Sequence, residues 1–178
     1  MPPTPLQSFS HTKGLIFYLD TSAVFPLMLT LADPAKVPLR ERTRSNLLTL
    51  FLERATKAGS RAVCSVLVLE EIAAVVRNQA KAAAGANPAT VHARMLKMLE
   101  HAINAIRVAS IVVEQPVVTD AVDGGQRLRK AHRAFLQSYP RIDSMDALHL
   151  AFGGLLGCTH FVSFDHAWTD VAEIKLLN

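Results

Sequence analysis

The sequence predicts an α/β fold: one domain, built as a three-layer α/β/α sandwich around a central parallel sheet of four or five strands. Three observations lead there. Short, continuous apolar runs without helical period recur as GLIFYLD, RAVCS, SIVVEQ and THFVSFD, and read as buried strands. Between them lie longer segments whose apolar residues return at helical spacing. Strands that alternate with helices pair in parallel and carry helices on both faces. Finally, no repeat, low-complexity block or linker divides the chain, so residues 14–178 read as one unit. Residues 1–13, rich in Pro and Ser, read as a flexible lead-in.

The first strand ends at Asp20. Thr21 and Ser22 each qualify as the cap of the next helix, which carries Ala23, Val24, Phe25, Leu27 and Met28. Pro26 is expected in its first turn, where a missing donor is harmless. After the loop ADPAKVP, the spacing of Leu47, Leu50, Phe51 and Ala55 predicts a helix from Leu39 to Ala58, closed by Gly59. The strand RAVCS feeds a helix from Val66 to about Ala84, stopped by Gly85, Asn87 and Pro88. A further helix is expected from about Ala89 to Ile106. The strand SIVVEQ is bounded by Pro116. Residues 117–138 read as a helix loosened at Gly124 and Gly125 and broken by Tyr139 and Pro140. Asp143 or Ser144 then starts the helix MDALHLAFGGLL. THFVSFD is the fourth strand, and EIKLL a short fifth.

The formal charge of +4 suits a polyanionic partner but is shared by many proteins without one. Cys64 and Cys158 sit in apolar runs far apart and lack zinc-ligand spacing, so both are expected as reduced core thiols. The N-terminus lacks the apolar stretch of a secretory signal. No run reaches the ~20 apolar residues of a membrane span. A cytoplasmic location without membrane contact is the resulting expectation.

Four acids stand where α/β sheets form sites, beyond the carboxyl ends of the strands. Asp20 follows the first strand and Asp165 the fourth. Glu70 and Glu71 lie early in a helix whose apolar stripe runs through Val68, Leu69, Ile72, Val75 and Val76. Glu70 falls opposite the stripe, beside Arg77, and is expected in solvent; Glu71 falls at its margin and can face a crevice. Asp146 lies in the first turn of its helix, three residues after Asp143. Each has a plain alternative: Asp20 and Asp165 as turn or cap residues, Glu71 as an acid favoured by the helix N-terminus, Asp146 as the partner of Asp143 in a capping box. Acids that converge raise one another's pKa values unless a cation joins them. Oxygen-only ligands select a hard ion, Mg²⁺ or Mn²⁺. Such a centre suits phosphoryl chemistry, because the ion binds a phosphate and acidifies water.

The strings carrying these acids, in this order, resemble the signatures of PIN-domain nucleases. YLDTSAV resembles the opening strand, with Asp20; SVLVLEEI the strand-to-helix segment, with Glu71; MDALHLA the third signature, with Asp146; FVSFD the last, with Asp165. The likeness spans about residues 15–176. It implies an endoribonuclease dependent on Mg²⁺ or Mn²⁺, in which a metal-activated water hydrolyses RNA phosphodiesters and leaves 3′-hydroxyl and 5′-phosphate ends. Asp20, Glu71, Asp146 and Asp165 would hold one or two ions, supported by Thr21, Ser22 and Ser163. Single-domain members of VapC type are toxins, neutralised by a small antitoxin protein and assembled as homodimers. The long helical stretch 78–107 and the lead-in depart from the most compact members.

Other features have weaker claims. Arg127, Arg129, Lys130 and Arg133 cluster on one helix, either as a solvated face or as contacts to RNA phosphates. His149, one turn after Asp146, is a tempting general base but reads better as a partly buried helix residue. Trp168 reads as packing, with base stacking as the alternative. Gly153, Gly154 and Gly157 read as close helix packing and a C-cap. Two rival functions are a non-catalytic RNA-binding or regulatory module of the same fold, and a phosphatase of haloacid-dehalogenase kind. The second wants an acid two residues after Asp20, where this chain has Ser22.

Overall fold

The structure, a computed structural model, describes residues 3–82, 87–115, 121–172 and 174–178. Strand β1, Ile16–Leu19, sets up the layers, because successive side chains leave a strand on opposite faces. Phe17 and Leu19 enter one apolar cluster and Tyr18 enters another. Strands β2 (Arg61–Cys64), β3 (Ile111–Val113), β4 (His160–Val162) and β5 (Lys175–Leu177) complete a five-stranded sheet in the order β3-β2-β1-β4-β5. All four pairings are parallel. The same alternation runs across it: Ala62, Cys64, Val162 and Leu177 join Phe17, while Val63, Phe161 and Leu176 join Tyr18.

Helices α1 (Thr21–Ala32), α2 (Leu39–Lys57), α3 (Val66–Ala82) and α4 (Pro88–Val108) pack together and supply the larger cluster. Helices α5 (Ala121–Ser138) and α6 (Ser144–Leu155) pack on each other, and α6 gives Ala147 and Leu150 to the other cluster. The result is an α/β/α sandwich with unequal layers. Phe17 and Phe51 are fully buried edge to face, with ring centroids 4.9 Å apart. Each such ring contributes about 1.5–3 kcal/mol by leaving water. The order of the strands matters for function. The chain winds outward from β1 to β3, then returns to place β4 on the other side of β1. The β1/β4 boundary is therefore the switch point at which α/β sheets open a crevice.

Several sequence expectations change. Pro26 is the sixth residue of α1 rather than part of its first turn, so the Ser22 carbonyl lacks its usual helical donor. The cap of α1 is Asp20 itself, whose carboxylate accepts the Ala23 N–H, not Thr21 or Ser22. The lead-in is packed over its described part. Thr4 pairs with Leu177 beyond the edge of β5, Leu6 is 1% exposed, and the Arg54 guanidinium donates to the Leu6 and Gln7 carbonyls. Phe9 and His11 close over Phe17 and Phe51. Helix α5 runs unbroken through Gly124 and Gly125. Asn87 caps α4, its side chain accepting the Thr90 N–H. The expected breaks at Gly85 and Pro116, residues 117–120 and Glu173 of EIKLL lie outside the described residues. Both cysteines are free thiols, and burial pushes each up to about 12, which leaves them unreactive. No helix among the described residues is long and apolar enough to cross a membrane.

Candidate functional site

Backbone chemistry at two strand ends builds the first half of the site. Asp20 leaves β1 and caps α1, so its carboxylate is fixed over the first turn. Two hydroxyls hold it further: Ser22 Oγ donates to Oδ1 and Oδ2 at 2.9 and 3.0 Å, and Ser163 Oγ donates to Oδ2 at 2.7 Å. Those serines also tie down the loop after β4. The Phe164 N–H donates to Ser22 Oγ and the Asp165 N–H to Ser163 Oγ. Asp165 in turn accepts the Ala167 N–H through Oδ1 at the start of a short 3₁₀ turn, His166–Asp170. Adjacent strands thus bring Asp20 and Asp165 to one crevice.

Helices α3 and α6 bring the other two acids. Glu71 lines the same crevice, whereas Glu70 is exposed, and Val75, at the edge of the expected stripe, is 37% exposed and also faces it. Thr21 Oγ1 and His149 Nε2 both donate to Glu71 Oε2, the latter at 2.8 Å. Asp146 completes the capping box of α6: Asp143 accepts the Asp146 N–H, and Asp146 Oδ2 accepts the Asp143 N–H. Its Oδ1 accepts from Trp168 Nε1 at 2.7 Å. The plain and the functional readings of Asp146 therefore describe one geometry. The four acids line a single cavity of ≈ 440 Å³ with Thr21, Ser22, His149, Phe25 and Val75.

Electrostatics in this cavity are unbalanced. Asp20 is 5% exposed, and burial pushes its carboxyl up to about 6 despite the hydrogen bonds from Ser163, Ala23 and Ser22. No Lys or Arg pairs with it among the described residues. Burial also raises Asp146, against its bonds from Trp168 and the Asp143 N–H, and the charges of Asp143 and Asp165 add to the rise. Burial raises Glu71 too, but the His149 and Thr21 bonds outweigh it and leave its carboxyl low. Uncompensated, desolvated carboxylates beside one another are what a cation relieves.

His149 is more deeply involved than its sequence position indicated. It is buried, and its Nδ1 lies 2.7 Å from the Tyr18 hydroxyl, which lies 2.7 Å from Ser65 Oγ. With Glu71 ionised, His149 Nε2–H donates to it, and Nδ1 accepts from Tyr18, which accepts from Ser65. Burial raises the Tyr18 pKa, keeping it a neutral donor. A buried chain of polar groups thus orients Glu71 from beneath the sheet edge. The sequence signal was the inward alternation of Tyr18, whose buried hydroxyl requires a partner.

Trp168 is fully buried and spent on Asp146, which rules out base stacking. Two lining residues, Glu41 and Arg44 of α2, were not singled out by the sequence. Their signal was present. They extend the buried stripe Leu48, Phe51, Ala55 by two turns at its own spacing, past the end of the sheet. The exposed residues Arg127, Arg129, Lys130 and Arg133 do not line the cavity. Arg129, Lys130 and Arg133 border a separate surface groove on α5. From α5, His132 Nε2 reaches the Ser144 carbonyl and hydroxyl at 3.1 Å, at the start of the helix that bears Asp146.

The donor set is all oxygen, as Mg²⁺ or Mn²⁺ requires. Glu71 Oε1 and Asp165 Oδ2 have no hydrogen-bond partner among the described residues. Among the described residues, no three His, Cys, Asp or Glu side chains close a coordination shell as they stand. The shared features are the cavity and its unpaired charge, both of which fit a divalent ion. No known protein-family model matches this chain, and no curated protein matches it either.

Proposed function

We propose that this chain is an endoribonuclease of PIN type, dependent on Mg²⁺ or Mn²⁺, that hydrolyses RNA to 3′-hydroxyl and 5′-phosphate ends. The observation that carries this reading is the convergence of Asp20, Glu71, Asp146 and Asp165 on one cavity at the β1/β4 switch point, with Asp20 buried and, among the described residues, without a Lys or Arg partner. A bound divalent ion would neutralise these acids, draw in a phosphate and acidify a water molecule. The protein's part is orientation. Ser22, Ser163 and the Ala23 N–H fix Asp20; Thr21 and His149 fix Glu71; Trp168 and the Asp143 N–H fix Asp146. Phe25 and Val75 line the cavity with apolar surface and lower the local dielectric. The family resemblance extends the proposal to a cytoplasmic toxin, a homodimer held in check by a small antitoxin protein. The basic face of α5 is the proposed approach for RNA or for an acidic antitoxin segment.

Purified protein incubated with a mixed-sequence single-stranded RNA is the direct test. Cleavage in Mg²⁺ or Mn²⁺, stopped by EDTA, restored by excess Mn²⁺ and lost in Asp146→Asn, is the expected result. Cleavage that persists in EDTA, or none with either ion, defeats the proposal.

A further inference from the structure

An acid-lined cavity repels the polyanion it is meant to receive. Asp20, Glu41, Glu71, Asp146 and Asp165 all face it, and among the described residues Arg44 is its only Lys or Arg. A bound divalent ion answers part of that charge at one phosphate. An RNA strand brings a negative charge at every nucleotide, so its neighbouring phosphates need another cation.

Arg44 is built for that task. Its guanidinium lies 4.8 Å from the centroid of the Phe164 ring, so the ring supports one face of the plane. Nη1 donates to Glu41 at 3.2 Å and Nη2 to the Phe164 carbonyl at 3.4 Å. The remaining N–H donors have no protein acceptor among the described residues. The side chain is 20% exposed, which leaves it reachable yet partly desolvated. A guanidinium held in place with donors to spare loses little entropy when it grips an anion. Phe164 also lies between Ser163 and Asp165, so the support under Arg44 belongs to the loop that orders the acids.

We propose that Arg44 is a substrate-binding residue that grips an RNA backbone phosphate at the mouth of the acid cavity. The inference rests on the endoribonuclease reading and adds to it the group that admits the polyanion. A purely architectural Arg44, cross-linking α2 to the loop after β4, makes a different prediction, because removing it would not change how many phosphates are neutralised.

The test is fluorescence anisotropy with a 5′-fluorescein single-stranded RNA of mixed sequence, in Ca²⁺, at several salt concentrations. Arg44→Gln removes the charge but keeps a donor for Glu41 or the Phe164 carbonyl; Arg44→Ala removes both. Binding is expected to weaken about tenfold in each. The slope of log affinity against log salt should become shallower by about 0.7, one single-strand phosphate contact. Arg44→Lys, which keeps the charge, should retain the wild-type slope. Wild-type affinity in Arg44→Gln overturns the proposal, as does weaker binding with an unchanged slope in both neutral variants, the mark of an architectural role. If wild-type protein itself fails to bind RNA, the endoribonuclease reading falls and takes this inference with it.

Discussion

Asp20→Asn is expected to make the metal-free protein more stable while removing its activity. The two effects share one cause. In the native state the Asp20 carboxyl sits at about 6, against about 3.8 in an unfolded chain. Between those values the folded protein holds a proton that the unfolded chain has released. Stability from this group is thus complete below about pH 4 and is lost as pH rises through about 6. Above pH 7 the buried charge costs on the order of 3 kcal/mol, following the size of the shift. Asparagine caps a helix as well as aspartate does, and the Ser22 and Ser163 hydroxyls can turn to satisfy its amide. In EDTA at pH 7.5 the variant should therefore melt roughly 6–12 °C above wild type. The gap should close as the pH falls to 4. RNA cleavage should fall roughly 10³-fold, since a neutral amide is a poor ligand for a hard ion. A variant that melts with wild type at every pH shows that Asp20 carries no stored charge penalty.

The second large effect is expected at Gly153→Ala. Helix α6 carries both Asp146 and His149, and it lies against the sheet where β1 and β4 run side by side. A Cβ at position 153 would stand 2.7 Å from Cζ of Phe161 and 3.1 Å from Cγ of Tyr18. Both rings are buried, so neither can swing away. The helix must lift, at a cost of about 3 kcal/mol. A fall of roughly 6–12 °C in melting temperature follows. Lifting α6 also separates His149 from Tyr18 and Glu71, so metal affinity should drop with it. Gly154→Ala is the matched control. A Cβ there meets nothing within 4 Å, and helix propensity alone should make it neutral or stabilising by up to about 1 kcal/mol. Equal melting of wild type and Gly153→Ala contradicts the close approach.

What was legible in the sequence follows from how locally each feature is determined. The strands showed because a parallel strand covered on both faces must be largely apolar, as in Ile16–Leu19; in β4, Phe161 and Val162 follow the same rule after the buried His160. The acids showed because strand ends and helix starts are marked by Asp20, Asp143 and Asp165, all of which cap the element they precede. Glu71 could be separated from Glu70 by helical angle alone, since α3 buries Val68, Ile72 and Val76.

Other features depend on packing between distant segments. Arg40, Arg42 and Arg44 look alike in sequence. Helical spacing sets Arg44 on the stripe of Leu48 and Phe51, but only the packing of α2 beside the loop after β4 brings that end of the stripe to the cavity. The role of His149 required Tyr18 and Ser65 to meet it across two strands and a helix. The packing of residues 3–13 rests on backbone pairing of Thr4 with Leu177, which leaves no side-chain pattern, and on two apolar anchors, Leu6 and Phe9, among Pro and Ser.

Calorimetric titration of Mn²⁺ into the purified protein at pH 7.5 tests most directly whether the four carboxylates share an ion. Wild type should take up one or two equivalents, and Asp146→Asn should bind at least about tenfold more weakly. No uptake by wild type, or identical uptake by a variant that keeps the fold, would contradict a common divalent centre in this cavity.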